Sequence, residues 1–385
     1  MRTRLGALAV VTALAFPAGA LATIPAGNLL QNPGGEAAPG ANDSISAPAL
    51  PNWTTTPNFT AVQYGAPGFP TPAVSAFYGG GANFFAGGQN TASSSALQDV
   101  DVRGAAPEIQ GGNVRADFSA YLGGYLSQSD SATAAVQFLD SSGAVVRSST
   151  IGPVTTADRN SESVLLPRST VVQVPATTTT IRVVLQATRL EGSYDDGYAD
   201  NAVVELAQGA PPVFGKTVDV APVSGAVLIK TPGSNRFVPL SALKTIPVGA
   251  TIDARKGRVR LTTTYAGKSQ SSEFYEGVFT VFQRKADKGV VELALAGGNF
   301  KPCPAVRGAA SKSSSVRHLW GAGSGKFRTK GRFASATLRG TTWLTDDRCD
   351  GTLVRVTQGA VSVRDIPRKK TVLVRAPAKY LARAG

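Results

Sequence analysis

Val136-Gln137-Phe138-Leu139-Asp140-Ser141-Ser142-Gly143-Ala144-Val145-Val146 is the stretch that decides the fold class. Val136 and Phe138 alternate with Gln137, the two-residue period of a strand with one buried face. Asp-Ser-Ser-Gly then supplies residues that bond their own backbone or tolerate a left-handed conformation, so the chain turns, and Ala144-Val145-Val146 resumes as a second strand. The same grammar recurs outward from this hairpin. Thr180-Ile181-Arg182-Val183-Val184-Leu185 and Ala202-Val203-Val204-Glu205-Leu206 are further strands, and Gly, Pro, Ser and Asn punctuate the chain at intervals of roughly ten residues. A helical period is sustained almost nowhere. The expectation is an all-β protein, with a β-sandwich over residues 23–208 and a long ordered loop over the Gly-, Pro- and Phe-rich stretch Gly65 to Gly88.

Gln208-Gly209-Ala210-Pro211-Pro212 breaks the pattern where the charge changes sign, which places a linker at residues 209–217 and a second domain at 218–385. From Thr23 to Ala210 there are 7 Lys and Arg against 15 Asp and Glu, a net of −8; from Pro211 to Gly385 there are 30 against 10, a net of +20. The two halves therefore present different potentials to charged partners. In the second half Gly225-Ala226-Val227-Leu228-Ile229, Gly277-Val278-Phe279-Thr280-Val281 and Gly359-Ala360-Val361-Ser362-Val363 repeat a turn glycine entering a strand, which points to a β-roll or short β-solenoid. The uneven spacing of the repeats favours a compact sheet stack over a regular solenoid. Lys301 to Arg332, basic and poor in β-branched residues, is expected to be a loop excursion.

Arg2 and Arg4, the apolar run Leu5 to Pro17 and Ala20-Leu21-Ala22 have the three parts of a secretory signal peptide over residues 1–22. No later segment approaches the roughly 20 apolar residues of a membrane span. A secreted, extracellular product, held to the cell envelope non-covalently, is expected. Cys303 and Cys349, the only cysteines, are then expected to form a disulfide in an oxidising compartment.

Two catalytic constellations are weighed and set aside. A Ser-His-acid set would need His318, the only histidine, which sits among Lys and Arg where an imidazole is a poor base. A glycosidase needs two carboxylates a few ångströms apart, and Asp195, Asp196 and Asp200 cluster in one short stretch; a turn or a hard-cation site accounts for them better. A non-catalytic binding protein is expected. The net +20 comes without a nucleic-acid-binding motif, so teichoic acid, acidic polysaccharide or lipid headgroups are the expected anionic partners, and no specific nucleic acid is.

Asn28-Leu29-Leu30-Gln31-Asn32-Pro33-Gly34-Gly35-Glu36, Pro51-Asn52-Trp53 and Gly197-Tyr198-Ala199-Asp200-Asn201 resemble the two ends of a galactose-binding-like jelly roll, the fold of many bacterial carbohydrate-binding modules. The resemblance implies a cell-surface glycan as partner and a structural Ca²⁺ held by Glu36 and Asp200. Trp53 is expected in the core. The loop aromatics Tyr64, Phe69, Phe77, Tyr78, Phe84 and Phe85 are the candidates for stacking on sugar, with Tyr64, Phe69, Tyr78 and Phe85 taken as the ligand-binding set. Gly225-Ala226-Val227, Val248 to Ala254 running into Val259-Arg260-Leu261, Leu338 to Trp343 and Val356 to Val363 resemble a FecR-type domain over about residues 218–382. That family implies an extracytoplasmic ligand-sensing module, although the transmembrane helix and cytoplasmic segment of such sensors are not in this sequence. The rival expectations are accordingly a glycoside-active enzyme and a sensing module.

Overall fold

A computed structural model describes residues 24–266, 268–303 and 314–383; the expected signal peptide, residues 1–22, lies outside them. The quoted hairpin is present. Asp140 Oδ1 accepts hydrogen bonds from the backbone N–H of Ser142 (2.9 Å) and Ala144 (3.1 Å), and Gly143 takes the left-handed φ of 82°.

The first ten strands are β1 (Thr54–Thr55), β2 (Thr60–Gln63), β3 (Asn83–Gln89), β4 (Ser93–Asp101), β5 (Val114–Gly124), β6 (Ser131–Leu139), β7 (Val145–Ile151), β8 (Val164–Gln173), β9 (Thr180–Thr188) and β10 (Tyr194–Gln208). They form two five-stranded sheets, β1-β4-β9-β6-β7 and β2-β3-β10-β5-β8. The period of two sends Ala132, Ala134, Val136 and Phe138 of β6 and Ile181, Val183 and Leu185 of β9 inward, where they meet Ala116, Phe118, Ala120 and Leu122 of β5 in one apolar core. Two antiparallel sheets over one core make a jelly-roll-like sandwich.

Thirteen strands follow: β11 (Thr217–Lys230), β12 (Val238–Pro239), β13 (Lys244–Pro247), β14 (Thr251–Tyr265), β15 (Lys268–Tyr275), β16 (Val278–Gln283), β17 (Val291–Leu295), β18 (Ser315–Gly323), β19 (Phe327–Lys330), β20 (Ala334–Arg348), β21 (Gly351–Asp365), β22 (Lys370–Arg375) and β23 (Lys379–Arg383). Two long strands change neighbours part-way. Thr251 to Asp253 of β14 pair with β16 and Arg258 to Tyr265 with β15, while β20 pairs with β19 at its start and β18 further on. The pairings therefore close a ring, β14-β15-β18-β20-β19-β17-β16 and back to β14. Phe274, Phe279, Phe327 and Trp343 fill it. The repeated Gly-x-Φ-x-Φ units fall on β16, a strand of the ring, and on β11 and β21, which pair onto its strands β14 and β20, and not on the turns of a regular solenoid.

The basic stretch Lys301 to Arg332 corrects the expectation of an excursion. Residues 304–313 lie outside the described residues, but β18 and β19 are integral strands of the ring. β18 lacks β-branched bulk because it passes over Trp343: a Cβ on Gly321 would come within 2.5 Å of the indole. The strand signal was hidden by the very packing that requires it. Cys303 and Cys349 are bridged, with Cα atoms 5.2 Å apart, tying the segment after β17 to the β20–β21 turn.

β5 is buried along its entire length, which a half-exposed sandwich strand would not be. Its outer face, Arg115, Asp117, Ser119 and Tyr121, packs on the barrel. Arg115 pairs with Asp219 at 3.0 Å, Asp117 with Arg260 at 3.7 Å, and Arg260 donates to Ser119 Oγ at 2.6 Å.

Candidate functional site

A cleft of about 660 Å³ opens where the sandwich meets the barrel. One wall is the helix α1 (Pro72–Tyr78), which lies inside the stretch expected to be loop. Pro72 opens it with its φ already set, and Gly79, left-handed at φ 73°, ends it. The opposite wall is the outer face of β15, β18 and β21. Tyr275 of β15 and Trp320 of β18 are direct cross-strand partners, and their rings lie parallel (4°) with centroids 6.1 Å apart. Phe77 of α1 stands edge-on to Tyr275 at 5.8 Å. All three rings are half-buried. Glu162, Glu276, Thr357 and Gln358 add polar groups to the lining.

Arg258 holds the walls together. Its guanidinium lies 4.0 Å from the Tyr275 ring centre and 4.9 Å from that of Phe77, donates to the Phe77 carbonyl oxygen at 2.6 Å and pairs with Glu273 at 3.2 Å. Such a desolvated cation between two aromatic faces fixes both.

The residues expected to bind ligand or metal stand behind α1. Tyr78 is buried and stacks on Tyr121, with centroids 4.0 Å apart. The hydroxyls of Tyr64 and Tyr78 contact each other and lie 2.8 and 3.1 Å from Asp200 Oδ2, so their two protons are shared among three contacts. Glu36 accepts from the backbone N–H of Ala82 (3.1 Å) and Asn83 (2.8 Å), just past the helix. Gly81 makes that approach achievable: at φ 81°, a Cβ there would come 2.5 Å from Glu36 Oε1. Burial pushes the Asp200 carboxyl well above its ordinary range, and the charge of Glu36 adds to this.

The set fits a hard cation in part. It offers two carboxylates and hydroxyl oxygens, and all their polar partners are neutral donors. Ca²⁺ takes six or more oxygens, however, and among the described residues no group of three His, Cys, Asp or Glu side chains converges. Carbonyls and water would have to complete the shell.

The structure also removes the expected sugar platform. Phe85 is fully buried in β3 between Trp53 and Phe59, with centroids 5.5 and 6.1 Å away, and Trp53 is in the core as expected. Phe84 is likewise in β3 and fully buried; Phe69 packs edge-on against Tyr194 at 5.2 Å. A Gly- and Phe-rich stretch resembles an exposed loop until its aromatics are needed to close the sandwich end. Asp195, Asp196 and Asp200 are buried and do not line this cleft. His318 lies 3.8 Å from Glu276 at the cleft's edge.

Tyr275 and Trp320 escaped the sequence reading. Their signal was alternation: Phe274 and Leu319 face the core, so the next residue on each strand faces out, and an aromatic on the outer face of a strand calls for a partner.

No protein-family model matches the chain, the expected FecR-type domain included, and no curated protein matches it. Among solved structures, the CBM22-1–GH10 modules of the N-terminal endo-1,4-β-D-xylanase of Clostridium thermocellum, complexed with xylohexaose, align with a TM-score of 0.27 and 13% identity. The alignment covers 42% of this chain and 27% of that one. A likeness of that size says nothing about what this chain binds.

Proposed function

We propose that the protein is a secreted, non-catalytic carbohydrate-binding protein that holds a glycan in the cleft between sandwich and barrel. The observation that carries this is the aromatic wall of Phe77, Tyr275 and Trp320, locked by Arg258 and edged by carboxylate, hydroxyl and amide groups. Sugar rings present apolar C–H faces and hydroxyl edges, and a fixed aromatic face with hydrogen-bonding groups at its rim matches both. The bridged cysteines fit an oxidising, extracellular setting, and among the described residues no helix is long and apolar enough to cross a membrane. In the same reading, Glu36 and Asp200 hold a structural Ca²⁺ that steadies α1.

Glycan-array binding of the intact chain, followed by intrinsic tryptophan fluorescence with the best binder, tests the reading. Trp320→Ala and Tyr275→Ala should each weaken binding roughly tenfold or more, as loss of a central aromatic anchor does. Phe69→Ala, away from the cleft, should not. Unchanged affinity in both cleft variants would place the glycan elsewhere.

A further inference from the structure

The aromatic pair does not stop at the cleft. Strand register continues it across the barrel: Tyr275 pairs with Trp320, Trp320 with Leu344 of β20, Leu344 with Arg355 of β21, and Arg355 with Lys379 of β23. Directly paired residues share a face of the sheet, so these five side chains form one row. Four strand-to-strand steps of about 4.8 Å make it roughly 19 Å long. Thr357, which lines the cleft, lies two residues along β21 from Arg355, so the row's cationic end adjoins the cleft.

That end is unusual in its own right. Arg355 and Lys379 are exposed, directly opposed and of like charge, an arrangement that disfavours the strand pair. Among the described residues, every ion pair of the barrel is made by other basic side chains. At the opposite end of the row Glu276 follows Tyr275 on the chain and lines the cleft. The row is thus aromatic at the end that lines the cleft and cationic at the other, with Leu344 buried between the two.

From this juxtaposition we infer that the ligand is an acidic polysaccharide, bound as an extended chain with a ring on Tyr275 and Trp320 and a carboxylate or other anionic substituent between Arg355 and Lys379. The inference rests on the glycan-binding reading of the cleft and adds the ligand's charge and direction. Glu276 repels an anionic substituent from the aromatic end, so the polarity of the row sets how the chain lies. Both cations are exposed, so their contribution falls as salt rises.

The test uses the intact chain with two probes of one backbone: polygalacturonate, which carries a carboxylate on each ring, and its fully methyl-esterified form, which carries none. At low salt the acid form should bind at least tenfold more tightly than the ester, and Arg355→Gln/Lys379→Gln should bring the two to parity while leaving ester binding unchanged. Trp320→Ala should weaken both. A double variant that keeps the acid preference overturns the charge assignment and leaves the cleft reading standing. Binding of neither polymer overturns the inference and leaves the cleft reading to the glycan array, whereas binding of both that is indifferent to Trp320→Ala sinks the cleft reading and the inference with it. An oligothymidylate held as tightly as polygalacturonate, unaffected by Trp320→Ala, would mark a general polyanion surface and overturn the inference. Circular dichroism of the double variant should match the parent, because neither side chain is buried.

Discussion

Asp195 and Asp196 open β10 as carboxyls with almost no water around them. Burial is the main cause that pushes Asp195 up to about 7 and Asp196 to about 6; Asp130's charge adds to both, and Tyr198's hydroxyl bond opposes it at Asp196. A carboxyl whose folded pKa lies above its unfolded value binds its proton more readily in the folded state. Stability is therefore full below the unfolded pKa near 4, falls through the window from about 4 to about 7, and stays low above it. The fold should melt at a higher temperature at pH 5 than at pH 8, with a difference on the order of a few kcal/mol. Asp195→Asn, which keeps the acceptor for the Gly197 N–H, should raise the melting temperature at pH 8 and change little at pH 4. A scan that is flat from pH 5 to pH 8 in the parent chain would show that these carboxyls ionise freely, against their burial.

Among the elements, α1 shows how a short helix is held for use. Seven residues are too few to be stable alone, so its position comes from contacts: Tyr78 stacked on Tyr121, the tyrosine hydroxyls on Asp200, Glu36 on the following N–H groups and Arg258 on the Phe77 carbonyl oxygen. If Glu36 and Asp200 bind Ca²⁺ here, the ion stabilises only the folded chain. At 100 times its dissociation constant it should add about 2.7 kcal/mol. Calorimetry should show a higher melting temperature in millimolar Ca²⁺ than in EDTA, and Asp200→Asn should abolish the difference; identical curves for the parent would dismiss the ion. The elements also show what the sequence made legible. Hairpins such as β6–β7 were readable because their period, turn residues and burial all agree. The course of β18 was not, because Gly321 has no side chain where Trp343 from β20 packs, a constraint 22 residues away. The acidic and tyrosine residues that mount α1 stood out as a motif, yet their use as a support depends on Glu36 and Asp200 meeting one loop from opposite ends of the domain. The cleft itself needs Phe77 of one half against Tyr275 and Trp320 of the other, a contact that no local pattern encodes.

At the scale of the molecule, the contrast between a −8 half and a +20 half is partly consumed internally. Arg115 and Asp219 are nearly inaccessible to solvent and pair in two directions at 3.0 and 3.1 Å, and fully buried Asp117 faces Arg260. Each pair takes one member from each half, so neither half is complete alone: separated, each exposes charges whose partners it lacks. The intact chain should therefore melt in a single calorimetric transition. Because these pairs are buried, they are screened far less than surface charges, and raising salt from 0.1 to 1 M should barely move that transition, even as it weakens anything held by Arg355 and Lys379. Breaking one partner leaves the other charge buried and unpaired, at a cost of about 3–5 kcal/mol. Asp117→Leu should lower the melting temperature and separate the transition into two, whereas Asp117→Leu/Arg260→Met, which removes both charges, should recover most of the loss. Two transitions in the parent chain, or single-variant losses that simply add in the double variant, would mean that sandwich and barrel are joined by the linker and not by this interface; the cleft between them would then have no fixed walls, and Phe77 could not be held against Tyr275.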